Sequence, residues 1–299
     1  MDDSEVHALR PARIQIAKQD IYAFFENESA RVFTYSQIAK ILLERKTVWR
    51  LAKSTEAADF IQFLIKQNRL CKVQLSFPKQ AVTRYTWGEP RTYELFLSLK
   101  PNTYLSHYTA MFLHELTEQI PKTVFVNCEQ PPKHYRDASL MQGRIDAAFK
   151  RPPRVSKNIA QYGDQRVCIL AGKHTGNLGV VHASGPQGEE IRLTDLERTL
   201  IDIVVRPAYS GGVFEVLKGY TLAHGKVSIN KLAAMLKRLD HVYPYHQCIG
   251  FYLERSGAYS GAQMDLLKKF EKRFDFYLTH EMKDMDFSKE WRLFFPKGF

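Results

Sequence analysis

Between Thr34 and Trp87 the hydrophobic period of this chain changes from helical to alternating within a few residues, and that switch restricts the fold more than any other feature. Ala57, Phe60, Ile61, Leu64 and Ile65 recur at helical spacing, with Ser54 or Thr55 as the expected cap and Asn68 placed to end the helix. Cys71, Val73, Leu75 and Phe77 then alternate with Lys72, Gln74 and Ser76, as a half-buried strand does. The turn Pro78 to Ala81 returns the chain into a second strand, Val82 to Trp87. Upstream, Thr34-Tyr35-Ser36-Gln37 has the form of a capping box, and Ile38, Ile41 and Leu42 give the helix after it a buried side. A first helix is expected from Ile14, Ala17, Ile21, Phe24 and Phe25. Three helices followed by a hairpin, in this order, predict a winged helix-turn-helix.

Charge is concentrated on the same stretch. Residues 31–84 hold 11 lysines and arginines against 3 acidic residues, whereas residues 1–30 hold 3 against 6; the whole chain carries +11. A cationic excess confined to a small helical module is the footprint of a surface that meets phosphates, so the expected partner is double-stranded DNA. The departure from a compact motif is the ten-residue ERKTVWRLAK (44–53), where three or four residues are usual. Val48 and Leu51 fall off the stripe of the following helix, which predicts an elaborated turn with Trp49 as its anchor. Arg45, Lys46, Arg50 and Lys53 are expected to touch phosphates, as are Lys79 at the hairpin tip and Arg84 on its return strand. Base readout is assigned to the start of the third helix and the residues before it: Arg50, Lys53, Ser54, Thr55 and Asp59. The capping segment Thr34, Tyr35, Ser36 and Gln37 completes the expected DNA-binding set.

At 299 residues two domains are expected, with the boundary near residue 95, after the turn-rich Gly88-Glu89-Pro90-Arg91. The predicted class is α+β: residues 1–95 the winged helix, residues 96–299 a larger mixed α/β domain. In the second domain a helix is expected to open at Tyr104-Leu105-Ser106, carrying Tyr108, Met111, Phe112, Leu116 and Ile120 on one face up to Pro121. Thr123 to Asn127 follows as a strand, and Val167 to Ala171 with Gly179 to Ala183 read as a hairpin. Thr194-Asp195-Leu196-Glu197 reads as a second capping box, and Ile229, Leu232, Ala233, Leu236 and Leu239 as an amphipathic helix. The composition, 44% hydrophobic and 25% charged, is that of a globular protein. MDDSEVHALRPAR contains no apolar leader and no run reaches the ~18 apolar residues of a membrane helix, so a cytoplasmic location with no membrane partner is expected. Cys71, Cys128, Cys168 and Cys248 are widely spaced, and they are expected to be reduced and mostly buried.

Three segments carry a family resemblance: YLSHYTAMFLHELTEQIPKTVFV (104–126), GRIDAAFKRPPR (143–154) and above all LTDLERTLIDIVVRPAYSGGVFEVLKGY (193–220). Together with the N-terminal module they resemble the AbiEi family, antitoxins of bacterial type IV toxin-antitoxin systems. The resemblance implies a repressor that binds inverted repeats in its own promoter through the winged helix. It further implies a C-terminal domain that counteracts a nucleotidyltransferase-like toxin without a stable complex. Within the chain, Ala208-Tyr209-Ser210-Gly211 recurs as Ala258-Tyr259-Ser260-Gly261, each copy leading into a helix. A repeated use of a good helix start explains this; a sharper reading is two helix N-termini forming one anion-binding surface. The candidate antitoxin or anion-binding set is Arg198, Arg206, Tyr209, Ser210, Gly211, Lys218, Ser260 and Gly261.

No enzymatic motif is expected to operate. Gly172 to Gly179 (GKHTGNLG) lacks the ending of a phosphate-binding loop, no metal or other cofactor is expected, and His241 and His246 have no third ligand nearby. The alternatives are a metal-dependent nuclease built on Asp275, Glu281 and Lys283, or a DNA-binding regulator without a toxin partner. A monomer or a weak dimer satisfies two-fold related half-sites equally.

Overall fold

The structure is a computed structural model describing residues 13–132 and 140–299 of the chain. It is a mixed α+β protein that divides into two compact units, Met1–Leu99 with Ser184–Glu190, and Lys100–Ala183 with Ile191–Phe299. The division falls after helix α4 (Thr92–Leu97), four residues beyond the sequence-based boundary.

In the first unit the order is α1 (Lys18–Asn27), β1 (Val32–Phe33), α2 (Tyr35–Arg45), α3 (Ala57–Lys66), β2 (Leu70–Ser76), β3 (Ala81–Trp87) and α4. β3 lies between β1 and β2, antiparallel to both, with Phe33 opposite Tyr85 and Leu70 opposite Trp87. Ile21, Phe25, Ile38, Phe60 and Leu64 are fully buried, so the three helices enclose one core that Trp87 closes by stacking on Phe25 at 4.8 Å. α2 begins with a complete capping box, Thr34 Oγ1 accepting from the Gln37 amide and Gln37 Oε1 from the Thr34 amide. α3 ends as expected at Asn68, which takes the left-handed conformation (φ 53°). Its start differs: the N-cap is Glu56, with no side-chain cap, since Thr55 is drawn inside (6% exposed) and Ser54 sits two residues too early.

The second unit is built on a six-stranded sheet in the order β6-β7-β5-β4-β9-β8, from β4 (Thr103–Leu105), β5 (Thr123–Glu129), β6 (Ile159–Tyr162), β7 (Gln165–Gly172), β8 (Val180–Ser184) and β9 (Glu190–Thr194). Here the expected hairpin is corrected. β7 pairs parallel to β5 along its whole length and β8 lies at the far edge of the sheet, so Gly172–Gly179 crosses over instead of turning back. Tyr104 and Leu105 likewise belong to strand β4; the helix α5 (His107–Leu113) starts later and stops before Ile120, which is exposed, while Leu116 is buried beyond its end.

Helices α6 (Gln142–Phe149), α7 (Leu196–Val205), α8 (Val213–Leu222), α9 (Ile229–Leu239), α10 (Tyr245–Arg255) and α11 (Gly261–Lys268) contribute to a core with a second sheet, β10 (Phe276–Tyr277), β11 (Met285–Ser288) and β12 (Leu293–Pro296). α7 is capped by Asp195, not by a Thr194 capping box: Thr194 is buried against Thr199, and Glu197 is turned to Lys231. The two Ala-Tyr-Ser-Gly copies are used differently. Ser260 caps α11 with a capping box to Gln263, whereas Ser210 is buried and α8 starts two residues later in register, from Gly212 at φ 89°. The four cysteines are free; Cys168 and Cys248 are buried, Cys128 is partly so, and Cys71 is exposed, contrary to the expectation for its strand. No helix among the described residues is long and apolar enough to cross a membrane.

Gly250, in the middle of α10, faces the ring of Trp291, and a Cβ there would overlap its ring atoms. Trp291 is fully buried and donates to Glu254 at 2.6 Å, so it has no route to yield. Gly250→Ala is therefore expected to lower unfolding free energy by at least about 1–3 kcal/mol through overpacking, despite the better helix propensity of alanine. A urea titration followed by tryptophan fluorescence reads this; an unchanged midpoint contradicts the packing described.

Candidate nucleic-acid interface

Around α3 the first unit presents several cations that form no ion pair among the described residues, and the segment that precedes α3 positions two of them. Residues 46–56 form an ordered turn rather than a slack loop. Trp49 is buried, stacking on Phe60 at 5.7 Å and meeting Phe24 edge-on, and Leu51 is buried two residues on. The exposed residue between them, Arg50, takes a positive φ of 52°, as the left-handed residue of a turn in which its amide bonds the Thr47 carbonyl and the Leu51 amide the Lys46 carbonyl. Lys46 closes the turn by donating to the carbonyls of Lys53 (3.1 Å) and Thr55 (2.7 Å). Trp49 thus acts as the anchor its sequence position implies, while Lys46 is a clasp and not a free phosphate contact.

The remaining expected contacts separate into three groups. Arg50, Lys53, Ser54 and Lys79 are exposed, and Arg50, Lys53 and Lys79 form no ion pair among the described residues. Tyr35, Ser36 and Gln37 are exposed at the start of α2, with Thr34 and Gln37 engaged in the cap; Arg45 is exposed with its guanidinium 4.7 Å from the Phe24 ring. Two assignments fail. Thr55 is buried, so its side chain reaches no base edge. Arg84 is committed to Ser98, its Nε and Nη2 donating to the Ser98 carbonyl at 3.2 and 2.6 Å and its Nη1 to Thr83, and burial lowers the pKa of its guanidinium.

The hairpin explains that second failure and supplies residues the sequence reading did not include. Lys72 pairs with Tyr85, Gln74 with Thr83 and Ser76 with Ala81, so these share one side of the two strands, and Lys72, Gln74 and Ser76 are exposed. Val73, Leu75, Val82 and Arg84 share the opposite side, on which Leu75 is fully buried. The basic residue available on the first side is Lys72, and on α3 it is Lys66; neither forms an ion pair among the described residues. The alternation of the strand carried the signal for Lys72, since it falls out of phase with the buried positions. Ala58, Asp59 and Gln62 complete the exposed surface of α3.

In the second unit the candidate antitoxin residues do not form one surface. Arg198 is 5% exposed, with Nε to Asp202 at 2.8 Å and Nη1 to the Leu178 carbonyl at 2.6 Å. Burial works against its charge, but Asp202, Tyr104 and Glu129 more than offset this and its pKa is raised. Tyr209 and Ser210 are buried, and Lys218 is paired with Glu118 at 2.9 Å. Arg206, Gly211, Ser260 and Gly261 are exposed. Asp275 is bound to Arg292 at 2.8 Å, and among the described residues no three His, Cys, Asp or Glu side chains gather as a metal site. His241 and His246 line a cavity of about 190 Å³ with Tyr243 and Phe274, and burial pushes both imidazoles down to about 4.

No family model matches the chain, and no curated protein matches its sequence. A solved structure does match in fold: the crystal structure of the Rv2827c protein from Mycobacterium tuberculosis, with a TM-score of 0.58 at 14% identity, over 93% of this chain and 91% of that one. The arrangement of elements described above is therefore shared with another protein along almost its full length.

Arg84 is expected to act on stability. Arg84→Gln should lower unfolding free energy by roughly 1–3 kcal/mol, through the loss of its bonds to Ser98, and a denaturant titration showing no change removes the structural role described for it.

Proposed function

We propose that the first unit is a winged helix-turn-helix that binds double-stranded DNA, and that the chain is a transcriptional repressor and the antitoxin of a type IV toxin-antitoxin pair. The observation that carries the DNA-binding reading is connectivity joined to charge. Helix, strand, two helices and a hairpin follow in order, with the short strand β1 against the return strand of the hairpin. Arg50, Lys53, Lys66, Lys72 and Lys79, on the turn, the third helix and the hairpin, form no ion pair among the described residues. In this reading α3 enters the major groove, Arg50 and Lys53 hold the phosphates beside its start, and the side of the hairpin bearing Lys72 and Gln74 meets the flanking backbone. The antitoxin half rests on the resemblance to the AbiEi family. A promoter with inverted repeats is its expected target, and a nucleotidyltransferase-like toxin is its expected counterpart.

Glu56 and Asp59 refine the reading. Two carboxylates in the first turn of α3 disfavour a phosphate at this helix start, although helix starts commonly attract one. They leave the exposed amino groups of cytosine or adenine as the groove partners of Asp59.

Replacing Arg50 and Lys53 together with alanine is expected to weaken binding to a duplex from the chain's own upstream region and to reduce the slope of log affinity against log salt by about 2. Fluorescence anisotropy at several salt concentrations reads both, and an unchanged slope means that the interface lies elsewhere. Asp59→Asn should change which base pairs are preferred in a randomised-site selection while duplex binding persists; an unaltered preference assigns Asp59 to helix-start stabilisation. For the antitoxin half, co-expression of the full chain with a nucleotidyltransferase-like product of the adjacent gene should relieve growth arrest, and persistent arrest removes that half alone.

A further inference from the structure

The small sheet of the second unit hides one face and displays the other. Phe276, Leu293 and Phe295 are buried in the core, so the residues alternating with them face outward. Tyr277 is in register with Phe294, and Phe294 with Phe287, which sets one ring from each of the three strands abreast. The centroid of Phe294 lies 5.0 Å from that of Tyr277 and 4.8 Å from that of Phe287. Phe287 is 40% exposed and Met285, on the same side, 41%. Behind the exposed rings Tyr277 stacks on Phe149, itself buried in the core, at 5.5 Å, and Phe149 on His280 at 4.3 Å.

Phe149 ends α6, and the chain runs from it directly into Lys150, Arg151, Arg154 and Lys157, with no acidic residue before Asp164. All four cations are exposed and form no ion pair among the described residues. The segment is nonetheless held in place. His280 Nδ1 bonds the Arg151 carbonyl at 3.0 Å, and Ser156 donates its amide to Tyr209 Oη at 2.6 Å and its hydroxyl to the Ile169 carbonyl at 2.9 Å. Of the carboxylates nearby, Asp146 accepts from Gln142 and Tyr277 and Asp286 alternates to the other side of β11 from Phe287, while Glu281, whose amide bonds the Phe149 carbonyl at 2.9 Å, and Asp284 are exposed.

We propose that this face binds single-stranded nucleic acid, its bases stacking on Phe287 and Phe294 and its backbone running along Arg151 and Arg154. A row of rings ending in a fixed cationic segment is what an unpaired strand requires, because its bases expose their faces and its phosphates remain close by. A duplex hides those faces, and an apolar protein partner has no use for the cationic segment that His280 ties to the rings at Arg151. The inference is independent of the duplex-binding reading of the first unit, and either can fail alone.

The test uses the full chain and 12-nucleotide single strands of mixed sequence, RNA and DNA in separate arms, each labelled with fluorescein and carrying one 2-aminopurine. Saturable anisotropy with quenching of the 2-aminopurine is expected in at least one arm. Phe287→Leu should lower affinity at least about fivefold while Phe287→Trp preserves it, since the ring and not its bulk is required. Arg151→Ala with Arg154→Ala should reduce the salt slope by about 1.4. Duplex binding should be unaffected by all of these, and single-strand binding by replacement of Arg50 and Lys53. The inference is overturned by absence of saturable binding in both arms, by equal affinities of Phe287→Leu and the unsubstituted chain, or by loss of single-strand binding when Arg50 and Lys53 are replaced. It is also overturned if light scattering shows a self-association that Phe287→Leu abolishes, which assigns the face to a second copy of the chain.

Discussion

The stacking of Trp49 on Phe60 is the contact on which the exposed chemistry of the first unit depends. A connection of this length between two helices would ordinarily sample many conformations, and any cation on it would pay the entropy of becoming ordered on contact with a partner. Burial of Trp49 and Leu51 removes that freedom before any partner arrives. The left-handed conformation at Arg50 is that of a helix-ending turn, the Arg50 amide bonding the Thr47 carbonyl at 3.1 Å and the Leu51 amide the Lys46 carbonyl at 3.0 Å. Lys46 completes the restraint by giving up its own availability. One tryptophan thus decides which of the four basic residues in the segment are structural and which are free.

A comparable fixation operates in the second unit around Glu129, where the chain between β7 and β8 has no regular structure. The Glu129 carboxylate accepts from the amide and hydroxyl of Thr175 and from the Asn177 amide. Burial opposes its charge, but these donors prevail and its pKa is lowered. Arg198 reaches the same stretch at the Leu178 carbonyl, and Lys173 donates to the carbonyls of Leu239 and Asp240 at the end of α9. The glycine-rich segment is therefore a strap held by Lys173, by Thr175 and by the Asn177 amide. Its composition suits that task, since Gly179 (φ 73°) packs where a Cβ would meet Arg198 and Met235.

How much of this was legible in the sequence follows from the range of each interaction. Helical stripes such as Ala57 to Ile65, the Thr34 to Gln37 cap and the Asn68 stop depend on residues within one or two turns, and the spacing alone conveys them. The partners of Lys46 lie seven and nine residues away, across a turn whose geometry the spacing does not encode. Arg84 and Ser98 are fourteen apart, and the Arg198 contact with Leu178 crosses twenty. The misread hairpin has the same origin: an apolar run such as Val167 to Ala171 is consistent with antiparallel or parallel pairing, and only the seven-residue match with β5 decides it. The aromatic row was hidden for a related reason, because Phe149, Tyr277, Phe287 and Phe294 come from distant segments and meet only through strand register and the end of α6.

The two surfaces proposed to meet nucleic acid differ in a way that their chemistry explains. Around α3 the exposed residues are charged or hydrogen-bonding: Lys53, Ser54, Asp59, Gln62, Lys66 and, on the hairpin, Lys72 and Gln74. Groups of this kind address base edges and phosphates, the only parts that a stacked duplex offers from outside. Of the aromatic rings of that unit, Phe25, Phe33, Trp49, Phe60 and Trp87 are buried in its core, where they hold the helices in place, and Tyr35 at the start of α2 is exposed. On the small sheet of the second unit Phe276 and Phe295 are buried, but Tyr277, Phe294 and Phe287 share the other side, with Phe287 40% exposed. A surface of that composition has little means of reading a duplex and a direct means of holding bases that have already left one. The sorting of aromatic residues between core and face therefore distinguishes the two proposed binding modes more sharply than net charge, which both surfaces share.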